Sequence, residues 1–141
     1  HKFDADGNFV QTWGGEGAGP GQFNQAHSII TDARGNLYVA DRSNQRIQVF
    51  DADGTYLRES RHPGTPYGLC LTRDRRHIMM AHGHTGKIIK LDLNGNVIGA
   101  TGGQGKGPNR YGEAHFLALD RKESIYVADT LNWRVQKLVK R

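Results

Sequence analysis

Short apolar, β-rich runs alternate with polar turns along the whole chain, and the pattern predicts strands joined by tight connections. The expected strands are residues 27–31, 37–40, 46–50 and 56–59. A second group follows at 66–71, 78–81, 87–91 and 97–101, and a third at 115–119, 125–128 and 134–138. An outer strand is expected at 9–13. Hairpin turns are expected at Asp6-Gly7, Gly35-Asn36, Asp53-Gly54 and Asn94-Gly95, because glycine accepts the positive φ such turns demand. No helix longer than one turn is expected.

The strand groups repeat. Residues 26–50 return as residues 114–138 at an offset of 88, pairing His27 with His115, Asp32 with Asp120 and Tyr38 with Tyr126. Asp41 with Asp129, Asn44 with Asn132, Arg46 with Arg134 and Gln48 with Gln136 continue the register. Self-similarity at a fixed period is the signature of a repeat architecture. The glycine-rich loop at 14–25 pairs with 102–113 at the same offset, Pro20 on Pro108 and Phe23 on Tyr111. No helix follows either loop and no Lys-Ser/Thr closes it, so each reads as a repeat-to-repeat connection and not a phosphate cradle.

A shift of 41 lays Ile88 on Ile47, Leu91 on Phe50, Asp92 on Asp51 and Gly95 on Gly54. This defines a degenerate unit in which His82 replaces Asp41 and Lys87 replaces Arg46. Four antiparallel strands in about 35 residues make one blade of a β-propeller. The expected division is residues 1–13 as the end of a blade, 26–60 as a blade, 66–101 as a degenerate blade and 114–141 as an incomplete blade. The fold class is therefore all-β, a propeller with about three blades present. Propellers close with roughly four to eight. The chain is expected to be a piece of a larger propeller, or half of a homodimer that closes one.

Composition adds little. The 141 residues suit one modest domain, and 19 Lys and Arg against 14 Asp and Glu give a mild +5. Its basic residues are scattered, so nucleic acid ranks below protein or carbohydrate as a partner. No apolar run is long enough to indicate a membrane span. The lone Cys70 excludes an intramolecular disulfide and reads as a small buried residue. His82 and His84 alternate along a strand end and should share a face, as a loop pair or an accessory metal site. His62 and His77 read as surface residues, and Trp13 and Trp133 as covers for blade edges.

Tyr38-Val39-Ala40-Asp41-x-x-Asn44-x-Arg46-Ile47 and Tyr126-Val127-Ala128-Asp129-x-x-Asn132-x-Arg134-Val135 resemble the core of the NHL repeat, whose family forms β-propellers, most often six-bladed. The residues fit an architectural role. Asp and Asn stabilise the turn, and Arg is placed to reach the Asp carboxylate bidentately.

A narrower resemblance is to the peptidyl-α-hydroxyglycine α-amidating lyase (peptidylamidoglycolate lyase) family. It is carried by Gly19-Pro20-Gly21-Gln22-Phe23-x-x-Ala26-His27-Ser28-Ile29, by Val39-Ala40-Asp41-Arg42-x-Asn44-x-Arg46-Ile47-Gln48, and by Tyr56-Leu57-Arg58-Glu59 followed by His62. It implies a lyase that cleaves a C-terminal hydroxyglycine into peptide amide and glyoxylate. A zinc ion is held by three histidines from alternate blades, and His27 and His115 match two of them. The third, with the family's catalytic Tyr and substrate-binding Arg, would lie upstream, which marks the chain as a C-terminal fragment. The resemblance also favours an extracellular or periplasmic compartment. Glu113-Ala114-His115-Phe116 stands where the family has Met-Pro-His-Asp. That Asp serves a structural calcium, so calcium is doubtful here. The alternative is a non-catalytic NHL module that binds protein, carbohydrate or RNA.

Overall fold

The computed structural model describes residues 1–61 and 64–139. His62 lies outside the described residues, as do Lys140 and Arg141. A hairpin opens the chain, β1 (Lys2–Phe3) with β2 (Phe9–Gln11). The first four-stranded sheet follows, from β3 (Ala26–Thr31), β4 (Leu37–Asp41), β5 (Arg46–Phe50) and β6 (Tyr56–Arg61). The second has β7 (Pro66–Leu71), β8 (His77–His82), β9 (Lys87–Asp92) and β10 (Val97–Gly102). The third has β11 (Ala114–Leu119), β12 (Ile125–Asp129) and β13 (Arg134–Leu138). Every neighbouring pair is antiparallel and sequential, which is the meander of a propeller blade. The helical residues described are two single 3-10 turns, Gly83–Thr85 and Thr130–Asn132.

The sheets stack face to face, and the two-residue period of the strands decides which side chains meet. Tyr38, Ala40, Ile47 and Val49 of the first sheet pack on Leu69, Ile78, Met80, Ile89 and Leu91 of the second. The alternate residues of the second sheet, Tyr67, Met79, Ala81 and Ile88, pack the other way on Tyr111, Ala114 and Val127. The second sheet is therefore apolar on both faces. The third sheet repeats the first, with one face uncovered among the described residues. Ile47 is 1% exposed, whereas Val135 at the same repeat position is 68% exposed.

The turns between strands share one device. Asp32 accepts the backbone N–H groups of Arg34 and Asn36 at 2.8 and 2.9 Å, and Asp51 and Asp120 do the same for their own turns. Of the hairpin glycines Gly7, Gly35 and Gly54, Gly54 has the least room. Its φ is +82°, and a Cβ there would lie 2.5 Å from the ring of Trp13. Strand β2 ends at Gln11 instead of 13, and Trp13 covers the turn at Gly54 instead. Trp133, in contrast, covers no blade edge among the described residues, being 94% exposed with φ 55° at the end of its 3-10 turn. Gly54→Ala should cost about 1–2 kcal/mol from the left-handed backbone, with the Trp13 clash added. Gly7→Ala has a similar φ and open space, so it should cost less. Equal shifts of the two urea midpoints would contradict the Trp13 contact.

Candidate functional site

His27, Tyr67 and His115 are each the second residue of the first strand of a sheet. In each case the ladder register slips there: between Ala26 and Ser28, between Pro66 and Leu69, and between Ala114 and Phe116. A bulge re-aims the side chain it carries, and β7 packs between β3 and β11. The three rings therefore converge. The His27 and His115 centroids are 5.1 Å apart, and Tyr67 lies 5.2 Å from the first and 5.0 Å from the second. Phe116 stacks on His27 at 5.3 Å and 15°. Gly83 makes room for Tyr67, since a Cβ there would sit 2.5 Å from the phenol ring.

Polar groups tie the rings down. His27 Nδ1 is 3.0 Å from the Tyr67 carbonyl, and His115 Nδ1 is 3.0 Å from Glu113 Oε2. Thr130 donates its hydroxyl to the same Glu113 oxygen at 2.7 Å. Arg42 lies over the Tyr67 ring at 4.0 Å and donates to its hydroxyl. Burial works to raise the Glu113 pKa, but hydrogen bonds from His115, Thr130 and Tyr67 outweigh it and hold the carboxyl below its ordinary value. Burial and the Glu113 charge push the Tyr67 phenol up.

The repeated Asp-Asn-Arg-Gln set lies behind this site and fixes the loops that lead into it. Arg46 Nε meets Asp41 at 2.8 Å, while its two terminal nitrogens go to Glu59 and to the carbonyls of Ala18, Gly19 and Gln22. Arg134 likewise meets Asp129 through Nε at 2.9 Å and gives its other nitrogens to the carbonyls of Lys106, Gly107 and Arg110. The expected bidentate grip on the Asp is thus corrected to a single bond, because the rest of the guanidinium is committed to the glycine loop. Gln48 and Gln136 close each loop from the same side.

The sequence singled out His27 and His115, and the structure brings them together. Tyr67, Arg42 and Thr130 were not anticipated. The shift of 41 puts His27 opposite Gly68, whereas the first strand of the degenerate unit follows a shift of 40, which gives Tyr67. The extra residue lies in the turn into β8, since Leu71 pairs with Ile78 where Thr31 pairs with Leu37. His82 and His84 do not share an environment, since His82 is buried and His84 exposed. His77 is half-buried in a cleft of about 320 Å³ at the other end of the sheets, with Met79, Lys90 and Ile125. Burial raises the pKa of the half-buried Cys70 thiol, which keeps it a poor nucleophile. Among the described residues, no group of three His, Cys, Asp or Glu side chains is placed to hold a metal.

Comparison with known proteins agrees with this architecture. The profile of a family described as 6-bladed beta-propeller matches residues 2–87. NHL repeat-containing protein 3 of Homo sapiens is 32% identical across 94% of this chain and 41% of its own length. Peptidylglycine alpha-amidating monooxygenase of Rattus norvegicus is 42% identical over 67 residues, 43% of this chain and 7% of that protein. A catalytically inactive virginiamycin B lyase from Staphylococcus aureus, solved with quinupristin, superposes with a TM-score of 0.70 at 14% identity. It covers 98% of this chain and 44% of its own, a likeness of fold. The chain spans 41% of the length of the NHL repeat-containing protein 3 relatives it matches. From the meander sheets, the repeated Arg cradle and these matches together, the chain belongs to the 6-bladed β-propeller family and carries NHL repeats.

Proposed function

We propose that His27 and His115 are two ligands of a zinc site at one mouth of the propeller channel. In the closed propeller, this site would serve a lyase reaction like that of the peptidyl-α-hydroxyglycine family. The observation that carries the reading is the 5.1 Å between the two imidazole centroids. Zn–N bonds of about 2.0–2.1 Å at a tetrahedral angle put two such centroids about 5 Å apart. Imidazole nitrogen suits zinc, and the site draws its ligands from two sheets that a third holds in register. A third ligand would come from elsewhere in the propeller. We propose no calcium site, since Phe116 offers no oxygen.

Zinc, when bound, would polarise the hydroxyl of the carbinolamide and lower its pKa. The reaction moves the hydroxyl proton to the amide nitrogen as the C–N bond breaks, with no oxidant or water consumed. Arg42 sets a permanent positive charge beside the rings, a match for the carboxylate of a C-terminal hydroxyglycine. Phe116 and Tyr67 wall the imidazoles and limit water around them.

The second reading is an NHL module that binds a protein or carbohydrate without catalysis. It is favoured by the relative matched over nearly the whole chain, which is named for its repeats and not for a reaction. Glyoxylate release from a peptidyl-α-hydroxyglycine substrate separates the two. The zinc-loaded closed propeller should release glyoxylate, and the isolated chain should show no turnover. Release no faster than the blank from the closed, zinc-loaded propeller would leave the binding module standing.

A further inference from the structure

We propose that Glu113 is a positioning residue of the channel-mouth site, fixing His115 as the Nδ1–H tautomer so that Nε2 is the nitrogen left to bind a ligand. The inference rests on the metal reading for its effect on affinity, and on hydrogen-bond direction alone for the tautomer.

Direction is set by groups that have no choice. The Arg42 guanidinium can only donate, so the Tyr67 hydroxyl accepts from it and has its own proton to give. Glu113 accepts the Thr130 hydroxyl at 2.7 Å. An ionised carboxylate has no hydrogen to return, so at the 3.0 Å contact His115 Nδ1 must be the donor.

His27 is held differently. Its Nδ1 faces the main-chain carbonyl of Tyr67 at 3.0 Å, an acceptor that no side-chain substitution removes. Glu113 occupies the repeat position that carries Gln25 in the first unit, and the Gln25 side chain turns to Ser43 at 3.1 Å instead. Thr130 likewise stands at the position of Arg42. The two histidines of one repeat pair are thus fixed by unrelated means, one by the backbone and the other by a carboxylate. Acceptors that orient a ligating imidazole typically change metal affinity about 10–100-fold when removed.

The test is long-range ¹H–¹⁵N correlation of the ¹⁵N-histidine-labelled, zinc-free protein at about pH 8, above the ordinary histidine range. Wild type should show Nδ1–H for both histidines. In Glu113→Ala, His115 should shift to Nε2–H or to a mixture while His27 is unchanged, which also reports an intact fold. Glu113→Gln keeps a carbonyl acceptor and should restore the wild-type tautomer. Zinc titration of the closed propeller should then be about 10–100-fold weaker for the alanine variant than for the glutamine variant. A wild-type tautomer at His115 in Glu113→Ala, or Nε2–H in wild type, would overturn the proposal. The expected tautomers without zinc binding by the wild-type closed propeller would sink the metal reading and leave the role of Glu113 intact.

Discussion

Replacing Arg46 with alanine should bring the first sheet close to unfolding. Arg46 is 1% exposed, and Asp41 beside it is fully buried. Alanine removes the bond to Asp41 and the bond to Glu59, and takes one donor from each of the carbonyls of Ala18, Gly19 and Gln22, of which Gly19 keeps the Gln22 N–H and Gln22 keeps Gln48. Breaking a buried ion pair by deleting one partner costs about 3–5 kcal/mol. A domain of this kind has a total stability of about 5–15 kcal/mol. Lysine does not rescue the position, because one ammonium cannot span the carboxylate and the loop carbonyls as a planar fork does. Arg134→Ala should be milder, since that side chain is 33% exposed and water can replace its bonds. The measurement is the urea midpoint with its slope for each variant. The expected loss is largest for Arg46→Ala, then Arg46→Lys, then Arg134→Ala. A loss below about 1 kcal/mol for Arg46→Ala, the scale of an exposed pair, would contradict the cradle.

The fold was legible because its determinants are local and repeated. The strand at 46–50 matches β5 at both ends, since Arg46 begins it and the Asp51 turn stops it. The glycine loops were read as connections, and their amides are indeed engaged. Gly17 N–H goes to Phe23 and Phe23 N–H returns to Gly15. The site was half legible. His27 and His115 stood out because the same residue type recurs in register. Tyr67 did not, because it is the odd member of its repeat position and one residue out of the shift drawn from later strands. Arg42 and Thr130 are a mismatched repeat pair, so neither attracted notice. Arg42 acts through a contact across sheets that no single blade encodes, and Thr130 through Glu113 of its own blade. Arg46 was expected to spend its fork on one carboxylate, and local sequence carried no sign that three carbonyls of a loop more than twenty residues earlier would compete for it.

The second large effect concerns the histidines. In the closed propeller, His27→Ala and His115→Ala should each reduce bound zinc to background. A catalytic zinc takes three protein ligands, and the two that remain rarely hold the ion. Neither substitution should disturb the fold, since both side chains are partly exposed and the cradles at Asp41 and Asp129 do not involve them. Circular dichroism and the urea midpoint serve as controls. Zinc content unchanged in both variants would remove the histidines from the site. The isolated chain, with two donors among its described residues, should bind zinc weakly or not at all.

The most direct test is a crystal of the zinc-loaded closed propeller, with anomalous diffraction collected above and below the zinc edge. An anomalous peak about 2.0–2.1 Å from Nε2 of both His27 and His115 is the predicted result. A zinc peak elsewhere in the molecule, or none with both imidazoles ordered, would contradict it.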